Sequence, residues 1–177
     1  MRRRLLLAAG AMAAATPVGV RAQGGKVFRV GVLTGGQREP FWSIFRNTLK
    51  DLGYVEGTNI KFEYRSSEYV PERLDALAAE LVALNVDVLV AVQTPAALAA
   101  KKATRTIPVL LAGVGDAVAT GLVTSLARPE ANLTGVSTAT AELAGKSVEL
   151  LKEILPAARR IAAIANAPDP FHKPFLE

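Results

Sequence analysis

The 177-residue chain contains no cysteine. That excludes a disulfide scaffold, a thiolate metal site, a cysteine nucleophile and a lipid-anchored bacterial N-terminus, which needs a Cys after its signal. Histidine occurs once, as His172, so a His-based triad or a multi-His metal centre would rest on one residue near the C-terminus, where it reads as a surface side chain. A phosphate-cradling Gly-x-x-x-x-Gly-Lys-Ser/Thr loop does not occur, nor does a Gly-x-Ser-x-Gly nucleophile elbow. Gly113-x-Gly115 lacks the third glycine of a dinucleotide fingerprint, because Val118 stands there, and it follows the fourth expected strand rather than the first. No cofactor is therefore expected. Gly and Pro, at 14 and 10 residues, are too near average usage for a collagenous or low-complexity chain. What is present is a core: 50% of residues are hydrophobic and 21% charged, enough to bury one domain, or one domain and part of a second.

The net charge of +5 invites a nucleic-acid partner until the first segment is read. Arg2, Arg3 and Arg4 precede an uncharged run from Leu5 to Ala15, then Thr16, Pro17 and Gly19 break it, and Val20-Arg21-Ala22 offers a signal-peptidase site. These are the three regions of a secretory signal, residues 1–22, with cleavage expected before Gln23. The paired arginines ahead of Leu5 also loosely resemble a twin-Arg export signal. Cleavage removes four arginines and leaves 17 basic residues against 16 acidic ones, so the basic excess belongs mostly to the address and nucleic acid is not an expected partner. After residue 22 no apolar run is long enough to span a bilayer. An exported, periplasmic protein is expected.

The remainder alternates strand and helix. Strands are expected at Val27 to Thr34, Thr58 to Tyr64, Asp87 to Val92, Ile107 to Ala112, Asn132 to Ser137 and Arg160 to Asn166. The second alternates polar and apolar residues, as a strand near a sheet edge would. Between them, Phe41, Ile44, Phe45, Leu49 and Leu52 form one helical stripe closed by Gly53, and Leu74, Leu77, Leu81 and Leu84 form another. Thr94 and Pro95 suit the N-cap and first position of a third helix, Asp116 can cap a short helix through Ala127, and a longer helix runs from about Ala141 to Leu155. Repeated strand–helix units imply right-handed crossovers and a doubly wound parallel α/β sheet covered on both faces.

Ligands of such sheets gather beyond the carboxyl ends of the strands. Four segments leave those ends: Gly35-Gly36-Gln37, Gln93-Thr94-Pro95, Gly113-Val114-Gly115-Asp116 and Ser137-Thr138. They are small and hydrogen-bonding, and helix N-termini on the same side favour an anion such as a carboxylate. Asp116 can hold a ligand ammonium, cap its helix, or do both. Phe41 lies on the apolar stripe and reads as core, whereas Trp42 lies off it and can reach the rim to stack on a ligand. Glu63 and Arg65 can pair on a solvated strand face.

Several segments are familiar as an ordered set: Leu52-Gly53-Tyr54-Val55-Glu56-Gly57, Glu63-Tyr64-Arg65, Thr94 to Lys101, Thr106-Ile107-Pro108, Gly121 to Pro129 and Asn132 to Ser137. Together they resemble the bacterial ABC transporter substrate-binding proteins of the ABC_sub_bind family, over essentially all of the chain after the signal. The resemblance implies a type I periplasmic-binding-protein fold, in which two α/β lobes joined by a hinge hold a small ligand between them and the loaded protein docks on an inner-membrane ABC permease. It implies a first lobe at residues 23–138, and a hinge with the beginning of an incomplete second lobe at 139–177. Carried over by position, ligand contacts fall on Gly36 and Gln37, on Thr94, Pro95 and Ala96, on Asp116 and Ala117, and on Ser137. Many relatives have Asp-Pro where Asp116-Ala117 stands and Gly-Gly where Glu130-Ala131 stands.

The leading expectation is a solute-binding component that captures a small molecule, such as an amino acid, without transforming it. Two other classes stay open at this point: a single-domain flavodoxin-like or hydrolase-type enzyme, and an exported ligand-sensing module. If the second lobe is incomplete, the apolar residues Leu143, Leu150, Leu151, Ile154 and Leu155 lack part of their packing, and are expected to settle on the first lobe or to aggregate.

Overall fold

A computed structural model describes residues 26–36, 39–128, 132–138, 140–166 and 169–172. The expected signal segment, Gln37 and the Glu130-Ala131 pair lie outside the described residues. The elements are β1 (Phe28–Thr34), α1 (Phe41–Asp51), β2 (Ile60–Ser66), α2 (Leu74–Ala83, entered through a 3-10 turn at Pro71–Arg73), β3 (Val88–Val92), α3 (Thr94–Ala103), β4 (Val109–Val114), β5 (Leu133–Ser137) and α4 (Thr140–Ile154). A second 3-10 turn spans Pro170–His172.

The five strands form one parallel sheet in the order β2-β1-β3-β4-β5. The chain steps one way from β1 to β2 and the other way thereafter. Right-handed crossovers therefore put α1 on one face and α2 and α3 on the other. The reversal between β1 and β3 is the topological switch point, where the loops leaving two adjacent strands diverge and open a crevice.

Strand alternation sorts the core between the two faces. Leu33, Leu89, Ala91, Val109 and Leu111 meet Leu74, Leu77, Ala78 and Leu81 of α2 and the alanines Ala96, Ala97, Ala99 and Ala100 of α3. The small alanine side chains let α3 lie close to the sheet. On the other face Val30, Val32, Ile60 and Val90 pack against Trp42, with Phe41, Phe45, Leu49 and Phe62 around them. This second face is only partly covered. Val88, Val90 and Leu110 border an open apolar hollow of about 470 Å³, closed on its other side by Phe45 and Leu49 of α1.

Local chemistry explains the element ends. After α1 the amide of Gly53 donates to Lys50 and that of Tyr54 to Leu49, with Gly53 at φ 89°, a paired C-terminal closure that needs a residue tolerant of positive φ. Asn85, at φ 51°, follows α2 in a similar way.

Four expectations are corrected. Residues 116–127 form successive turns rather than a helix, with Gly121 at φ 72° inside them. Arg160 to Asn166 is irregular and exposed. It has no neighbouring strand among the described residues, and an isolated strand cannot satisfy its backbone except with water. Of the two outcomes expected for the apolar stripe at 143–155, settling on the first lobe is the one the structure contradicts: Leu143, Leu150, Leu151, Ile154 and Leu155 are all exposed. Glu63 and Arg65 do not pair with each other. Glu63 meets Lys61 at 2.7 Å and Arg65 meets Glu80 at 2.8 Å. The edge position expected for β2 is observed.

Candidate functional site

The carboxyl ends of the strands carry a cleft of about 210 Å³ at the switch point. Its floor comes from Gly35 after β1 and from Gln93 and Pro95 at the β3–α3 junction. Ser67, Tyr69, Pro71 and Leu74, between β2 and α2, form one wall, and Asn166 and Asp169 close over from the C-terminal segment.

The β1 and β2 loops are laced together. The amide of Ser67 donates to Thr34 O at 3.0 Å, and the amide of Tyr69 to Gly35 O at 2.7 Å. Ser67 Oγ also donates to Gly35 O at 3.0 Å, and Ser66 Oγ to Gly36 O at 2.8 Å. The lacing brings the Tyr69 ring over Gly36, where an added Cβ would stand 3.0 Å from Tyr69 Cε1, so glycine fits there because the ring takes the space. Tyr69 is nonetheless 70% exposed, and its backbone, like that of Glu68, has positive φ.

The other half of the rim is closed on itself. Thr94 is buried, and its Oγ1 accepts from the amide of Gly115 at 3.0 Å. It is the first residue of α3, not its cap; Gln93 holds the cap position, and Pro95 still falls where an orphan amide would otherwise need a partner. Asp116 Oδ1 accepts from the amides of Val118 and Ala119 at 3.1 and 3.0 Å, so it caps the following turn as expected of it, without the helix. The amide of Ala117 donates to Ser137 Oγ at 2.9 Å, and Ala117 is fully buried. The hollow beside Ala117 and Ser137 holds only about 50 Å³, room for a water or two and not for an amino acid.

The sequence-derived residues thus separate. Pro95 lines the cleft, and Gly36 lies beside its wall, beneath Tyr69. Thr94, Asp116, Ala117 and Ser137 tie β4, β5 and α3 together, and Ala96 is fully buried in the core. Gln37 lies outside the described residues. Trp42 is a correction: it is buried under α1, edge-on to Phe62 and Tyr64 at centroid distances of 5.1 and 5.2 Å, because the large ring gains more by covering the sheet than by reaching the rim. Sequence reasoning missed Ser67, Tyr69, Asn166 and Asp169. The first two follow the edge strand β2, whose carboxyl end is the one of the five left off the list of rim loops, and that omission was the available signal.

A cluster of charges lies elsewhere, at the amino end of the sheet. Asp87 accepts from the backbone amide of Arg29 at 2.8 Å and pairs with Lys26 at 2.6 Å. The Arg29 amide first, then Lys26, holds its carboxyl below the usual aspartate range. On β2, the hydrogen bond from Lys61 lowers Glu63 in the same way.

The family description "ABC transporter substrate binding protein" matches residues 35–171. The chain belongs to this family. A tyrosine-binding protein of Clostridioides difficile is 35% identical over 122 residues, 69% of this chain and 35% of that protein. Two crystal structures superpose on it. A conserved domain protein from Vibrio cholerae does so with a TM-score of 0.71 at 35% identity, covering 82% of this chain and 50% of its own. An ABC domain from Streptococcus pneumoniae in complex with L-Trp does so with a TM-score of 0.67 at 30% identity, covering 81% and 49%. The chain thus spans about a third of the curated relative's length and about half of each solved structure. Among the described residues no helix is long and apolar enough to cross a membrane.

Proposed function

We propose that this chain forms the amino-terminal wall of an exported solute-binding protein that captures an amino acid, aromatic ones first among them, and presents it to an inner-membrane ABC permease. The observation that carries the reading is the cleft at the switch point of a sheet whose relatives are substrate-binding proteins. Two of those relatives are described as a tyrosine-binding protein and as a complex with L-Trp.

The chemistry of the cleft suits such a ligand. The positive end of α3 at Gln93 and Pro95 favours a carboxylate. Asp169 brings negative charge for an ammonium, and the exposed Tyr69 ring offers an apolar plane for a side chain. In the proposed protein residues 23–138 are the first lobe, residue 139 onward begins the passage to a second, and closure of the two sequesters the ligand. The signal at 1–22 would deliver the protein to the periplasm. Ligand is bound and handed on unchanged.

The described lobe supplies one wall, so it should bind L-Trp or L-Tyr weakly, with Kd of roughly a millimolar, and a two-lobed form carrying this wall should bind far more tightly. Calorimetry of both forms against a panel of amino acids and a neutral sugar checks this. Equal affinity of the two forms, or a preference for the sugar, contradicts it.

A further inference from the structure

Among the described non-glycine residues, Glu68, Tyr69, Asn85 and Gln93 hold positive φ. Asn85 ends a helix, where asparagine tolerates that conformation. Gln93 differs in kind. At φ 72° and ψ 161° it lies outside the left-handed helical well, in a region that side chains other than glycine's scarcely enter.

Two hydrogen bonds hold it there. Its amide donates to Ala112 O at 3.0 Å, at the end of the β3–β4 ladder, and its carbonyl accepts from the amide of Ala97 at 3.1 Å, opening α3. Both belong to the backbone, so glycine would make both at less cost. Packing does not account for the side chain either, because Gln93 is exposed. The side chain lines the cleft, and its Oε1 lies 3.4 Å from where a Cβ on Gly35 would stand. A residue whose backbone asks for glycine, and whose exposed side chain lies at the cleft, calls for an account of what that side chain does there.

We propose that Gln93 reads the ligand's carboxylate: its side-chain amide donates to a carboxylate oxygen held at the positive end of α3, and the strained backbone is kept because it aims the amide into the cleft. The inference rests on the binding function proposed above and adds the residue that fixes ligand orientation. It makes two predictions, one of them independent of any ligand.

The test compares the unsubstituted chain with Gln93→Gly and Gln93→Glu, using thermal unfolding and calorimetric titration with L-Trp and L-Tyr. Gln93→Gly should raise the unfolding midpoint by about 3–8 °C through relief of strain, and weaken binding about tenfold through loss of the donor. Gln93→Glu keeps the strained backbone, so its midpoint should stay within about 2 °C, and its binding should fall below that of the glycine variant because two carboxylates then face each other. A glycine variant that is no more stable overturns the strain argument. Unchanged affinity in both variants, with the parent binding, overturns the role of Gln93 alone and leaves the binding function standing. A parent that binds neither probe overturns both.

Discussion

The two halves of the rim use similar residues to opposite ends. Around β4 and β5, the hydroxyls of Thr94 and Ser137 and the carboxylate of Asp116 are spent on backbone amides of the neighbouring loops. Around β1 and β2, the loops are laced by hydroxyls and backbone amides, and Tyr69, with Gln93 after β3, is left exposed beside a cleft. The first half is a joint, and the second is the open surface at which the proposed ligand would sit. A small polar residue at a strand end is therefore not by itself a contact; what matters is whether its hydrogen-bonding capacity is already consumed within the fold.

Substitutions can break this contrast, and the largest effect is expected in the joint. Gly135 of β5 has φ 147°, and a Cβ there would stand 2.2 Å from Leu111 O, a backbone atom that cannot move aside. Gly135→Ala should cost more than about 3 kcal/mol and prise β5 from β4. Emission of the single tryptophan, buried Trp42, followed through urea unfolding, measures the loss.

Thr94→Val comes next. It keeps the shape and removes the acceptor for the buried Gly115 amide, so stability should fall by about 1–3 kcal/mol while affinity for L-Trp changes less than twofold. Tyr69→Ala should show the reverse pattern. Stability should stay within about 0.5 kcal/mol because the ring is largely exposed, and affinity should fall about five- to tenfold. The same urea series with a calorimetric titration separates the two, and matched effects on both quantities would erase the distinction between joint and surface.

The smallest effect lies far from both halves. Asp87 is held below its ordinary pKa, so the folded chain binds fewer protons than the unfolded one in the acid range. Its contribution to stability is present above the unfolded value of about 3.9 and is lost as pH falls through the lower folded value. Asp87→Asn should flatten the decline in melting temperature between about pH 4 and pH 2 and leave ligand affinity at pH 7 unchanged.

Much of the fold was legible in the sequence. Short β-branched runs alternating with three-and-four-spaced apolar residues leave few arrangements other than a parallel doubly wound sheet, and the polar alternation of β2 marked it as an edge. Two elements misread share one cause. The turns at 116–127 have the composition of a helix, but Gly121 at positive φ and the Asp116 cap hold them tight. The run at 160–166 has the composition of a strand, but no neighbouring strand lies beside it among the described residues. Propensity is local and pairing is not. The site was legible at the level of loops and illegible at the level of side chains. Sequence placed β1 and β3 at the rim, yet Thr94, Ala96, Ala117 and Trp42 face inward or into other loops because burial and hydrogen-bond geometry decide direction. Tyr69 and Gln93 carry no motif: the loops they lie on can be read from the strand ends, but their backbone conformation, which composition does not encode, cannot.

Amide-resolved NMR titration with L-Trp and L-Tyr addresses the central claim most directly. The account predicts shifts concentrated at Gly35, Ser67, Tyr69 and Gln93, with Asp116, Ala117 and Ser137 nearly silent. Shifts centred instead on Phe28, Val88 and Leu110 would place binding in the apolar hollow on the opposite side of the sheet, and would contradict it.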